Sequence, residues 1–185
     1  GYQSWGTVAY GIRVSANSYL YSMVSKLDLC DISDMANKLH LHDGLGQQLY
    51  DPGLLSANIG GTRYGATPLT MASAYATFAS EGKYCEPRPL EKITKSDGSP
   101  MKTYESKCEQ AISPDIANGV SYVLKGVLAP GGSAPKRAIG LPDASAAKTG
   151  TNDNSSQTWM VGYTRGLATA SWVGSNDLGY RSMNG

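Results

Sequence analysis

The sequence has 185 residues, 41% of them hydrophobic, which is enough for one domain with a packed core. Its 16 Lys and Arg residues against 15 Asp and Glu residues give a net charge of +1. This balance excludes a dedicated nucleic-acid binder, which carries a strong basic excess. No apolar run approaches the ~20 residues of a membrane-spanning helix.

Helical periodicity dominates the first half of the chain. Apolar residues at 19, 20, 23, 24 and 27 predict a helix over residues 18–27. A second set at 32, 35, 36 and 39 predicts another helix, capped by Asp31 or Ser33. After an irregular, Gly-rich stretch, Thr67 and Pro68 predict the N-cap and first turn of a third helix, which Gly82 ends.

A hairpin is predicted between two of the three cysteines. Residues 90–95 and 101–104 are strand-like, and the Asp-Gly pair between them is a strong hairpin signal. The hairpin would bring Cys85 and Cys108 together and leave Cys30 free, and a disulfide there implies an oxidising compartment. The alternative is three reduced thiols. No Cys-x-x-Cys pair is present, which argues against a zinc site and a thioredoxin-like redox site.

One more helix and three strands complete the chain. Ser113 and Pro114 repeat the cap-plus-proline start, and the Pro-Gly-Gly run at residues 130–132 ends the helix. Residues 144–148, 158–163 and 167–173 then predict strands, and the last two are joined by a short turn that makes antiparallel neighbours. The predicted fold class is therefore α+β, an antiparallel β-sheet covered by helices.

Two short motifs carry residues that suit acyl-transfer chemistry. Residues 15–17 (Ser-Ala-Asn) lie directly before a predicted helix, and residues 148–151 (Lys-Thr-Gly-Thr) end a predicted strand. Taken singly, each has a plain structural explanation: Ser15 and Asn17 cap a helix, and Lys148 is an exposed strand residue before a turn. Together and in this order, they match triplets of penicillin-binding proteins and class A β-lactamases.

The chain resembles the penicillin-binding proteins over nearly its whole length. Residues 64–79 resemble the helix that this family carries between the two motifs, and residues 147–151, 158–163 and 171–174 resemble its strand and hairpin. The similarity is greatest to the bifunctional, class A kind, whose glycan-polymerising domain is not in this sequence. The resemblance implies a penicillin-binding/β-lactamase-like transpeptidase fold, with residues 1–185 as the C-terminal part of one transpeptidase domain.

The resemblance also implies an activity. It is that of a serine-type D-Ala-D-Ala transpeptidase or carboxypeptidase, which cross-links peptidoglycan stem peptides through a serine acyl-enzyme and is inhibited by β-lactams. The implied partners are stem peptides, lipid-linked precursors and β-lactam antibiotics, with no nucleic acid, cofactor or metal. The implied location is the extracytoplasmic face of the bacterial cell membrane, with an anchor outside this sequence. A class A β-lactamase and a non-hydrolytic β-lactam-sensing domain stay open as alternatives.

The same resemblance assigns roles to both motifs. Ser15 relays a proton towards the leaving amine, Asn17 holds the substrate's peptide group, and Lys148 supplies fixed positive charge. Thr149 and Thr151 bind the substrate's terminal carboxylate through their hydroxyls. Gly150 lets the substrate lie close to the strand.

The family's nucleophile, in an upstream Ser-x-x-Lys motif, does not occur before Ser15. Four later matches begin at residues 80, 99, 133 and 145. They lie in the wrong order and are interpreted as chance, at a helix end, a hairpin turn, a Gly/Pro loop and the strand of Lys148. The chain opens at Gly1 with neither Met nor a signal-peptide pattern. We therefore expect a piece of a longer protein, inactive alone, whose upstream segment carries the serine.

Overall fold

The computed structural model describes residues 6–135, 145–152 and 155–175. Within these ranges the chain forms helices α1 (Val8–Val14), α2 (Asn17–Val24), α3 (Leu29–Lys38), α4 (Pro68–Ala79) and α5 (Pro114–Leu128), with a 3₁₀ helix at Leu55–Ile59. The strands there are β1 (Lys83–Cys85), β2 (Lys92–Thr94), β3 (Pro100–Thr103), β4 (Cys108–Gln110), β5 (Ala146–Thr151), β6 (Gln157–Tyr163) and β7 (Ala168–Gly174). None of the helices in these ranges has the length and apolarity to cross a bilayer.

The last three strands form the main sheet. They are antiparallel in the order β5-β6-β7, so β5 is an edge strand of the described sheet. Helix α5 packs against β5, and α4 packs against β6 and β7. Leu124, Ala146 and Tyr163 form the buried core between the helices and the sheet. The predicted α+β class, an antiparallel sheet covered by helices, is confirmed.

The first helix was not predicted from the sequence. Helix α1 packs along α5 and against α2. Gly11 at its centre is buried, and an added Cβ would lie only 2.3 Å from the Tyr19 Cβ of α2. The glycine therefore permits a close approach between two short helices, which places the chain segment that joins them.

Capping residues fix the starts of the longer helices. As predicted, Thr67 caps α4 by accepting a hydrogen bond from the Thr70 N–H at 3.0 Å, and Ser113 is the N-cap of α5. The prediction for α3 was wrong, because its N-cap is Asp28, whose carboxylate accepts the Cys30 N–H. The helix starts at Leu29, three residues before the first apolar position used to predict it.

A disulfide closes the hairpin region. Cys85 and Cys108 are direct partners in the β1–β4 pair and are joined by a disulfide, with Cα atoms 4.0 Å apart. Strands β2 and β3 form the predicted hairpin beyond it. Cys30 is free and exposed.

Removing this disulfide is expected to destabilise the domain. Replacing both Cys85 and Cys108 with serine should lower the free energy of unfolding by about 3 kcal/mol, because the bond closes a loop with a sequence separation of 23 residues. Urea denaturation measures the change, with Cys30→Ser as a matched control that should leave the curve unmoved. Three titratable thiols in the oxidised, denatured protein would contradict the disulfide.

Candidate active site

The Ser-Ala-Asn triplet forms the junction between α1 and α2. Ser15 ends α1 in the left-handed conformation, with φ 56° and ψ 44°. Ala16 is only 5% exposed, and its N–H donates to the Gly11 carbonyl at 2.9 Å. Asn17 is the first residue of α2, and it is exposed like Ser15. The buried alanine therefore anchors the junction, while the two polar residues are open to solvent.

Neither polar residue of this triplet caps the helix that follows. The N-cap of α2 is Ala16, which makes no side-chain capping bond. The explanation in which Ser15 and Asn17 merely cap the start of this helix is therefore wrong, although Ser15 is the C-cap of α1. A serine in the left-handed region costs about 1–2 kcal/mol, and backbone strain of this kind clusters at functional sites.

Lys148 joins the two motifs. Its ammonium donates a hydrogen bond to Ser15 Oγ at 2.7 Å, and a second one to the Thr149 carbonyl at 2.8 Å. These contacts also exclude the explanation in which Lys148 simply points into water from the strand. Motifs 133 residues apart in the sequence thus meet at the edge of the sheet.

The Lys148 ammonium is a partly dehydrated cation that is hydrogen-bonded but not ion-paired in the described part of the chain. The residue is half-buried, and this burial lowers its pKa. Among the described residues, no carboxylate forms an ion pair with it. A cation without a fixed counter-ion leaves its charge available to an anionic ligand and to the hydroxyl beside it.

The other residues of the second motif continue β5. The Thr149 hydroxyl lies 2.9 Å from the Ser133 hydroxyl. Gly150 pairs with Trp159, and an added Cβ would stand 3.4 Å from the Trp159 Cβ. Thr151 is exposed at the end of the strand. Two hydroxyls and one ammonium therefore lie within four residues of an edge strand, at positions 149, 151 and 148.

Asn17 is the predicted catalytic residue that takes no part in the hydrogen bond between Ser15 and Lys148. In the described part of the chain, the Lys148 ammonium hydrogen-bonds Ser15 and Thr149 rather than Asn17. Asn17 lies two residues after Ser15, at the first turn of α2. Its exposed amide is open to a ligand that lies along the junction.

Three of the four internal Ser-x-x-Lys serines have no part in this site. Ser80 ends α4 and donates to backbone carbonyls, and Ser99 bonds Asp97 in the hairpin turn. Ser145 is buried directly before β5, and its hydroxyl has no hydrogen-bond partner among the described residues.

The fourth serine, Ser133, reaches the second motif through Thr149. Lys136, which completes its Ser-x-x-Lys match, lies outside the described residues. The sequence predicted only a chance match in a loop for this serine, and its contact with Thr149 was not predicted. The only local signal was the Gly-Gly pair directly before it.

The geometry allows two kinds of chemistry. A hydroxyl beside a cation is a stronger acid, because the cation stabilises the alkoxide, so Ser15 can pass a proton with little reorganisation. The same cation, with hydroxyls on the following residues, is suited to a carboxylate. The described site therefore holds groups suited to a proton relay next to groups suited to binding an anion.

A family model described as the penicillin-binding protein transpeptidase domain matches residues 1–176. The chain belongs to this family. Penicillin-binding protein 1A of Mycolicibacterium smegmatis is 31% identical over 186 residues, an alignment that covers 92% of this chain and 23% of that protein. This penicillin-binding protein chain spans less than a quarter of the length of the first curated relatives that it matches.

Solved penicillin-binding proteins share the fold. Penicillin-binding protein 1A from Haemophilus influenzae superposes with a TM-score of 0.80 at 19% identity, over 91% of this chain and 30% of that chain. PonA1 from Mycobacterium tuberculosis, in complex with penicillin V, superposes with a TM-score of 0.70 at 27% identity. The superposition covers 90% of this chain and 47% of that chain. Both the family resemblance and the predicted transpeptidase fold are confirmed.

Proposed function

We propose that this chain is the C-terminal part of the transpeptidase domain of a peptidoglycan D,D-transpeptidase. The complete protein would cross-link stem peptides that end in D-Ala-D-Ala through a serine acyl-enzyme and would be inhibited by β-lactams. The observation that carries this proposal is the 2.7 Å hydrogen bond between Lys148 Nζ and Ser15 Oγ. It joins the family's two motifs in a chain that belongs to the family.

In this proposal the junction residues handle the proton and the peptide group. The Ser15 hydroxyl passes a proton to the leaving D-alanine amine, since a relay requires a contact of about 2.6–3.2 Å. Lys148 stabilises the negative charge that develops on Ser15 during this transfer. Asn17 holds the substrate's amide from the exposed start of α2.

Strand β5 would bind the C-terminal end of the substrate peptide. A D-Ala-D-Ala peptide terminates in a carboxylate, which Lys148 and the hydroxyls of Thr149 and Thr151 can bind as a group. The backbone N–H of Thr151, together with that of the nucleophile, would form the oxyanion hole. Gly150 leaves one position of the strand without a side chain next to the bound peptide.

The nucleophile in this proposal comes from a segment of the complete protein outside residues 1–185. The curated relatives are more than four times as long as their alignments to this chain, so such a segment has room. Stem peptides and lipid-linked precursors would reach the site on the extracytoplasmic face of the membrane. The relatives are named penicillin-binding proteins, which favours a transpeptidase over a class A β-lactamase or a β-lactam sensor.

A labelled penicillin tests this function. We expect the complete protein to take up one equivalent of a fluorescent penicillin, with the adduct on a serine outside residues 1–185. Peptide mapping after proteolysis locates the adduct. Stoichiometric labelling of a serine within residues 1–185 would refute the assignment of the nucleophile, and no labelling at all would refute the transpeptidase.

A further inference from the structure

A turn that follows α5 reaches the candidate site. Its serine, Ser133, is exposed, and its Oγ lies 2.9 Å from Thr149 Oγ1. The side chain of Thr149 is thereby engaged by a residue from another element. This contact lies at the threonine that the proposed function assigns to the substrate's carboxylate.

The turn is fixed by its glycines and by the end of α5. Gly131 has a φ of +78°. Gly132 has no room for a side chain, because an added Cβ would lie 2.1 Å from the Val127 carbonyl oxygen. The Gly132 N–H donates to the Ala129 carbonyl at 2.9 Å, and the Ala134 N–H donates to the Val127 carbonyl at 3.1 Å. The position of Ser133 is therefore set by backbone on both sides.

The same turn is tied to α1. The Ser133 N–H donates to the Arg13 carbonyl at 2.9 Å, and the Arg13 guanidinium donates to the Pro130 carbonyl. Arg13 lies two residues before Ser15 on α1. The backbone of the turn therefore contacts α1, and the Ser133 hydroxyl contacts β5.

We propose that Ser133 is a positioning residue that orients the Thr149 hydroxyl towards the carboxylate of the substrate or the β-lactam. A threonine hydroxyl has one hydrogen to donate and two lone pairs that accept. When Thr149 donates to a carboxylate, its oxygen accepts from Ser133, and each bond polarises the next. Since Thr149 contacts a substrate or β-lactam carboxylate only if the proposed site is correct, this inference rests on the proposed function.

Acylation of the complete protein by penicillin G tests the role of Ser133. Ser133→Ala is expected to lower the second-order rate constant about three- to tenfold, the effect of one hydrogen bond. Ser133→Thr keeps a hydroxyl and is expected to restore most of the rate. In a Thr149→Val background, Ser133→Ala is expected to change nothing further, because the group that it orients is gone.

The outcomes separate positioning from a structural role. An unchanged rate in Ser133→Ala would overturn the inference. So would a loss that persists in full when Thr149 is already valine, because Ser133 would then act independently of Thr149. A complete wild-type protein that penicillin G does not acylate would instead refute the proposed function, and this inference with it.

Discussion

Replacing Lys148 with alanine is expected to lower the rate constant for acylation of the complete protein by a β-lactam about 10²–10³-fold. The change removes the ammonium that contacts Ser15 Oγ at 2.7 Å, and with it the charge that the proposed carboxylate site requires. Stopped-flow or gel-based measurement with a fluorescent penicillin gives the rate. Lys125→Ala, which removes an exposed lysine from α5, is the matched control and should retain the wild-type rate.

The fold should survive Lys148→Ala, because the partly buried charge of Lys148 opposes folding rather than stabilising the folded state. Burial lowers the pKa of Lys148 from its ordinary 10.5, so below the lowered value the folded state holds a charge that it disfavours. Between the lowered pKa and 10.5 the unfolded state binds more protons, so the contribution of this group to stability rises with pH. Lys148→Ala should lose this rise without unfolding at neutral pH, as urea denaturation across that window would measure. A variant that unfolds at pH 7 would mean that its low activity reflects lost structure.

The sequence predicted the starts of the helices that begin with a capping residue followed by proline. The Thr-Pro and Ser-Pro pairs fixed the beginnings of α4 and α5, because a side-chain cap and a proline act within a single turn. Strands β6 and β7 match their predicted ranges to within one residue, with the predicted short connection between them, whereas β5 continues to Thr151, past its predicted end at residue 148. These signals place the sheet, and its edge strand carries half of the candidate site.

The features that were not predicted from the sequence depend on tertiary packing. Helix α1 has seven residues and a buried glycine, so its stability comes from packing against α5 and α2 rather than from propensity. The contact of Ser133 with Thr149 depends on how a glycine turn folds back over α5. The meeting of Ser15 and Lys148 was expected only from the family resemblance, since neither triplet contains a signal that locates the other.

Replacing the Ser15 hydroxyl should cost about as much activity as removing its lysine partner. Ser15→Ala and Ser15→Gly are both expected to lower the acylation rate constant of the complete protein about 10²–10³-fold, because neither can relay a proton. The matched serine is Ser25, an exposed residue at the C-terminal end of α2, whose replacement with alanine should leave the rate unchanged. An acylation rate close to wild type in Ser15→Ala would contradict the relay.

The two Ser15 variants should differ in stability although they share the loss of activity. At φ 56° a Cβ is strained, and glycine removes that strain at the expense of a larger loss of chain entropy on folding. We therefore expect Ser15→Gly to be about 0.5–1 kcal/mol more stable than Ser15→Ala in urea denaturation. Equal stabilities would mean that the strain at φ 56° is no larger than the entropy that glycine loses on folding. A more stable but inactive glycine variant would show that a strained backbone is retained at this junction for the hydroxyl that it carries.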